Sequence, residues 1–136
     1  MTSPSALTLG GFIAWALALL VLMELLRGFL VMFKGVAANQ FTPDNANLSP
    51  FMQRLARAHA NCVEGLPIFG GLLLLALVTD QAAITDPLAY VFFAARLAQS
   101  CIHLASQSVV AVFCRFAAFA VQLAIGTWWA ARLLGI

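Results

Sequence analysis

Residues 7–33 read LTLGGFIAWALALLVLMELLRGFLVMF, an apolar run whose only charges are Glu24 and Arg27. A helix needs about 20 apolar residues to cross the hydrocarbon of a bilayer, so this stretch is long enough to span. It exceeds the ~7–15 residues of a signal-peptide core. The residues ahead of it, MTSPSA, carry no Lys or Arg. The run is therefore expected to remain as a first transmembrane helix rather than to be cleaved.

The rest of the chain points the same way. Of 136 residues, 63% are hydrophobic and 9% charged, against ~25% charged in ordinary soluble domains. A chain this short has too much surface per volume to hide so much apolar area from water. Its solvent must be lipid, as the mean hydropathy of +0.98 also indicates. Seven Lys and Arg against five Asp and Glu make no basic patch for nucleic acid, and the composition excludes disorder. Cys62, Cys101 and Cys114 form no CxxC and no even set. They are expected to be small buried hydrophobes, with neither a disulfide nor a metal site.

Outward from the first run, KGVAANQFTPDNANLS (34–49) has the Gly, Asn, Asp and Pro content of a loop. Ser49 and Pro50 then offer an N-cap and first helical residue. The spacing predicts helices over 7–33, 50–78, 87–106 and 109–134, the first opened by Ser5 or Thr8 as cap. The second is polar in its first half, and Pro67 should kink it by removing the bond to the Val63 carbonyl. The fold class is an all-α membrane protein, one transmembrane domain over 1–136, with four helices running up-down-up-down. Lys34, Arg54, Arg57 and Arg115 gather at one end, while the 2–3 turn holds Asp80 and Asp86. The 1–2 and 3–4 loops are then cytoplasmic and both termini lie opposite, although Arg132 argues the other way.

Ionisable residues within spans cost about 2.5–3.5 kcal/mol each on insertion scales and are functional candidates by default. Arg54, Arg57, Asn61 and Glu64 are spaced three, four and three apart, which places them on one helical face. Arg96, Gln99, Ser100 and His103 form a similar stripe in the third helix. At ~1.5 Å per residue, Glu64 and Arg96 both fall near the midplane. They are expected to pair there, within a subunit or across a boundary, as the floor of a polar cleft. Arg54, Arg57 and Arg96 outnumber the nearby acids, which suits an anionic ligand. Glu24 and Arg27, one turn apart, are expected to pair and fix register. His103 has no second ligand at metal spacing.

The stretch RLARAHANCVEGLPIF (54–69) resembles the second-helix signature of the MAPEG family, membrane-associated proteins in eicosanoid and glutathione metabolism. The pattern R-x-x-R-A-x-x-N-x-x-E-x-x-P-x-F is matched by Arg54, Arg57, Ala58, Asn61, Glu64, Pro67 and Phe69. The resemblance implies a divergent, bacterial-type member of the inner membrane. It implies a homotrimer with glutathione as co-substrate at the subunit boundary. Arg57 and Asn61 are similar to residues contacting the glutathione backbone and carboxylate, and Glu64 to the one holding its amine. Arg54, Arg96, Gln99, His103 and Lys34 complete the implied binding set. The activity implied is glutathione transferase or peroxidase on a lipophilic substrate drawn from the bilayer.

This sequence departs from the pattern at three places. Gly65 follows the glutamate where an aromatic is common. The helix-3 tyrosines of animal members fall on Gln99 and His103. The thiolate-stabilising arginine falls on Val110, with Arg115 five residues on. A thiol of pKa near 8.5 is only a few per cent ionised at neutral pH, so conjugation needs a cation or donor beside the sulfur. His103, Ser106, Ser108 and Arg115 are the candidates, with His103 and Arg115 foremost. A rival reading is a small proton-coupled exporter using Glu24. A third is a non-catalytic relative.

Overall fold

The structure, a computed structural model, describes residues 2–136. It contains four helices long and apolar enough to cross a membrane, and no strand among the described residues. Helix α1 is Pro4–Lys34. Its cap is Ser3, whose hydroxyl accepts from the Ala6 N–H, with Pro4 at the first helical position. The expected caps Ser5 and Thr8 lie instead inside the helix, both buried. At ~1.5 Å per residue α1 is ~46 Å long, so it must tilt in, or project from, a ~30 Å core. Gly35 ends it at φ 70°, a left-handed turn that glycine takes without strain.

Helix α2 is Pro50–Val78. Ser49 caps it by accepting from the Met52 N–H. Pro67 leaves its mark as expected, but as a π-helical turn over Leu66–Gly70 between α-helical Pro50–Gly65 and Gly71–Val78. Widening by one residue is how a helix absorbs a missing donor without breaking. Helix α3 is Ala82–Ala105, opening five residues ahead of the expected Pro87. Asp80 takes the left-handed conformation, φ 57°, so Thr79–Gln81 turn the chain at once. Pro87, at the sixth helical position, forfeits only the bond to the Ala83 carbonyl. Helix α4 is Val109–Leu133, capped by Ser108.

In lipid, helices associate by close packing rather than by hiding oil from water. Each helix sends one aromatic to a common centre. Phe92 of α3 has its ring 6.0 Å from Phe12 of α1, 5.0 Å from Phe69 of α2 and 5.4 Å from Trp129 of α4. Gly126 makes this possible, because a Cβ there would stand 2.7 Å from the Phe69 ring. The outer surface is apolar, with Met32, Val78, Val110 and Phe113 among its most exposed residues. Cys62 is buried, but Cys101 and Cys114 are exposed on that outer face. They are small groups on the outside of the chain rather than core residues.

Two polar ties fasten the ends. At one, the Asp86 carboxylate accepts from both the Ser5 N–H (3.0 Å) and the Ser5 hydroxyl (2.6 Å). This joins the start of α1 to the first turns of α3. At the other, Arg54 Nε donates to the Leu104 carbonyl at 2.9 Å, joining the start of α2 to the end of α3. The 34–49 loop is tied down by Arg27. Its guanidinium bonds Glu24 (2.9 Å), the Asn45 side chain (2.6 and 3.1 Å) and the Thr42 carbonyl (3.0 Å), and stacks 5.5 Å from Phe41.

Candidate functional site

The polar face of α2 points outward from the bundle. Arg57 and Glu64 are exposed, Asn61 is half-buried, and Ile68 continues the same face one turn on. Neither Arg57 nor Glu64 forms an ion pair among the described residues, where the one salt bridge is Arg27–Glu24. Two charges on the lipid-facing side of a span are a standing cost unless something covers them. The opposite face of the same segment is packed: Leu55, Ala58 and Cys62 are fully buried.

The expected Glu64–Arg96 pair does not form within the chain. Arg96 is 0% exposed and bonds Asn61 instead, Nη1 donating to Oδ1 at 2.6 Å. Its guanidinium lies 5.2 Å from the Phe12 ring centre. The reason is geometric: Glu64 turns to the outer face while Arg96 enters beneath Gly65. A Cβ on Gly65 would stand 2.9 Å from Arg96 Nη2, so the residue that departs from the family pattern makes room for the arginine. Arg96 Nε and Nη2 have no hydrogen-bond partner among the described residues.

A cavity of about 510 Å³ opens between α2, α3 and α4. Asn61, Glu64, Gly65 and Arg96 form its polar end, and Phe69, Leu72, Phe119 and Leu123 are among its apolar walls. The α4 contribution was not legible in sequence, because Phe119, Leu123 and Gly126 look like any lipid-facing stretch. Gln122 was also missed. It is fully buried and its amide donates to the Gln99 carbonyl oxygen at 2.8 Å. A lone glutamine in an apolar helix was the signal. Gln99 is thereby engaged with α4. Ser100 meets the Cys62 sulfur at 3.3 Å.

The remaining candidates separate. Arg54 is held by the Leu104 carbonyl and lies 5.9 Å from the Phe51 ring. It ties the fold and does not join the Arg57–Glu64 face. Lys34 closes α1 and is exposed. Ser108 caps α4, and the Ser106 hydroxyl accepts from the Ser108 N–H at 3.0 Å, so both serines are consumed by the turn. Val110 is 72% exposed. His103 Nδ1 and Arg115 Nε, by contrast, are buried and without a partner among the described residues. Arg115, Arg57 and Arg96 are the charges within electrostatic reach of the His103 ring. No cluster of three metal-ligating side chains occurs among the described residues.

These features can hold an anion. Arg57, Arg96 and Arg115 come from α2, α3 and α4, and among the described residues none of them is in an ion pair. Among known proteins, the model of the MAPEG family matches residues 9–135, nearly the whole chain. No curated protein and no solved structure matches it.

Proposed function

The chain belongs to the MAPEG family, and from that premise we propose that it binds glutathione or a similar anionic thiol at a subunit boundary. It is an integral membrane protein by its four spans and its family. The proposed assembly is a homotrimer, its helices up-down-up-down, in a bacterial inner membrane. The 1–2 and 3–4 loops face the cytoplasm and both termini the other side. The ties from α1 to the first turns of α3, and from the start of α2 to the end of α3, support that order.

The observation that carries the reading is the outward face of α2. Arg57, Asn61 and Glu64 stand on it at family spacing, and Arg57 and Glu64 have no ion-pair partner among the described residues. Arg57 would grip a carboxylate of the ligand and Glu64 its amine, with Asn61 held in place by Arg96. Lys34, Gln99 and His103 complete the proposed lining. Arg115 is the proposed partner of the thiolate. Glutathione supplies the nucleophilic sulfur, and the second substrate is a lipophilic electrophile or a lipid hydroperoxide taken from the bilayer. The exporter reading has no observation in its favour, since Glu24 is paired to Arg27 at 2.9 Å.

The test is a thermal-shift titration in mild detergent. A ligand that binds only the folded state adds about 2.7 kcal/mol at a hundred times its Kd. Millimolar glutathione should raise the melting midpoint, and Arg57→Ala should remove most of that rise. Arg132→Ala should leave it intact, because Arg132 rests on Trp128, 5.5 Å from its ring centre, near the end of α4. A wild-type protein indifferent to millimolar glutathione would favour the non-catalytic relative or the exporter.

A further inference from the structure

Gln122 and Gln99 share one hydrogen bond between α4 and α3, and its direction is fixed. Gln122 Nε2 donates to the Gln99 carbonyl oxygen at 2.8 Å and to the Ala118 backbone carbonyl at 3.1 Å. A primary amide nitrogen has two hydrogens, so both are spent. A backbone carbonyl only accepts, so the end of Gln122 that meets Ala118 must be its nitrogen. Turning the Gln122 amide over would set oxygen against oxygen at Ala118 and bury unmatched donors where Oε1 now lies. Gln99 must then offer its own oxygen to α4, and its amide nitrogen is directed away from Gln122.

As a mere tie between helices the pair is costly. Gln122 is fully buried and its Oε1 has no hydrogen-bond partner among the described residues. Two apolar side chains would join α3 to α4 by packing without leaving a buried acceptor unmatched. What the pair adds is a fixed direction for the Gln99 amide. Gln99 Nε2 donates to no group among the described residues, yet it is not sealed in as Gln122 Oε1 is. Gln99 stands three residues from Arg96 and four from His103, on the polar stripe of α3. A donor held open in that stripe takes an acceptor atom of a ligand and rejects a donor. We propose that Gln122 is a positioning residue, holding the Gln99 amide so that α3 presents a hydrogen-bond donor to an acceptor atom of the bound anionic thiol. Resting on the proposed function, in which Gln99 lines the glutathione site, this role adds a residue of α4 that stands behind the lining and sets its polarity. The acceptor is an oxygen of the ligand or its sulfur as thiolate.

A double-mutant cycle on glutathione affinity, measured by titration calorimetry in mild detergent, tests it. Gln99→Met removes the donor and should weaken binding about tenfold, the worth of a hydrogen bond to a charged group. Gln122→Met keeps the volume and removes the stranded oxygen, so the melting midpoint without ligand should hold. It frees the Gln99 amide to turn, and binding should weaken about three- to fivefold, the cost of ordering one side chain. In the Gln99→Met background the same change should do nothing, because Gln122 acts only through Gln99. Should Gln122→Met not fold, Gln122→Thr is the second arm. Its single hydroxyl proton goes to the Ala118 carbonyl one turn back, which leaves none for Gln99, and the same pattern is expected. S-methylglutathione tells which atom accepts. A loss of equal size for both ligands puts the donor on an oxygen; a loss confined to glutathione, and growing as the thiol ionises, puts it on the sulfur. Losses that add in the double variant, or a Gln122→Met protein that binds as well as wild type, would overturn the proposal and leave glutathione binding standing. A wild type with no affinity for glutathione would overturn it together with the proposed function.

Discussion

Gly65 shows how a single absent atom sets the site. A Cβ there would stand 2.9 Å from Arg96 Nη2, whereas at Gly71 it would meet nothing within 4 Å. The guanidinium ends a flexible chain, but Asn61 and the Phe12 ring pin it. Gly65→Ala should therefore cost about 1–3 kcal/mol as overpacking. Gly71→Ala should be neutral or gain by helix propensity, about 0.8–1 kcal/mol at most. Melting midpoints of the two variants check this, and equal midpoints would show that Arg96 simply moves aside. From sequence, Gly65 was visible only as a departure from a pattern, because its role is a space defined by a residue thirty-one positions away. Arg57, Asn61 and Glu64 were legible because their spacing is local. Outside the membrane, the Asp44 carboxyl is held below the usual carboxylate range by the Thr42 hydroxyl and then by the Ala46 N–H. A lowered folded value means its contribution is present above the unfolded pKa and is lost as pH falls through the folded one. Thr42→Val should raise the Asp44 titration midpoint toward the ordinary value, readable by NMR of the loop.

At the scale of elements, the α1–α3 tie is the feature most exposed to a single change. Asp86 accepts two hydrogen bonds from Ser5, one from the backbone N–H and one from the hydroxyl, and Ser5 is fully buried. The carboxylate also sits at the positive end of the α1 dipole. Asp86→Ala leaves the Ser5 N–H without its acceptor, a loss of about 1–3 kcal/mol for a buried group without a partner, while the Ser5 hydroxyl keeps Thr85 Oγ1 at 2.6 Å. Asp80, exposed in the 2–3 turn, should tolerate replacement by Asn with little effect. Denaturation by SDS would rank the two. The sequence assigned Asp86 to a turn because Pro87 looked like a helix start. A proline further in is tolerated at the loss of one bond, here to the Ala83 carbonyl, when the preceding chain reverses abruptly, and the left-handed Asp80 supplies that reversal. Pro67 was readable for the opposite reason. It stands deep inside a long helical pattern, where a missing N–H must distort the ladder, and the distortion is the π turn over Leu66–Gly70.

For the whole molecule, the outward charges of α2 are what the proposed assembly would cover. Arg57 and Glu64 on a lipid-facing surface call for a covering copy, and closed symmetry would cover every stripe at once. Native mass spectrometry in mild detergent should show a trimer; monomers alone would remove the proposed boundary site. The proposed chemistry at that boundary turns on the sulfur. Sequence alone put Val110 where relatives keep an arginine, and nothing local chose among its substitutes. In the structure Ser106 and Ser108 build the turn, Val110 is exposed, and Arg115 Nε and His103 Nδ1 are buried without partners among the described residues, which leaves these two as the proposed candidates. If Arg115 stands beside the thiolate, it lowers the thiol pKa below the free value near 8.5, at about 1.4 kcal/mol per unit. The conjugation rate then levels off at lower pH than for the free thiol. Arg115→Gln should move that inflection up by about one unit, so at pH 7 the thiolate fraction falls about tenfold and the rate about three- to fourfold, the more basic sulfur offsetting the rest. At pH 9 both enzymes hold mostly thiolate, and the variant's more basic sulfur is the better nucleophile, with a Brønsted slope of about 0.4–0.5. The two rates should therefore converge or cross there, with the glutathione-dependent thermal shift little changed. A uniform fall at every pH would mean that Arg115 positions the substrate or the fold. An unchanged curve would return the sulfur to His103, where His103→Gln should then produce the same displacement.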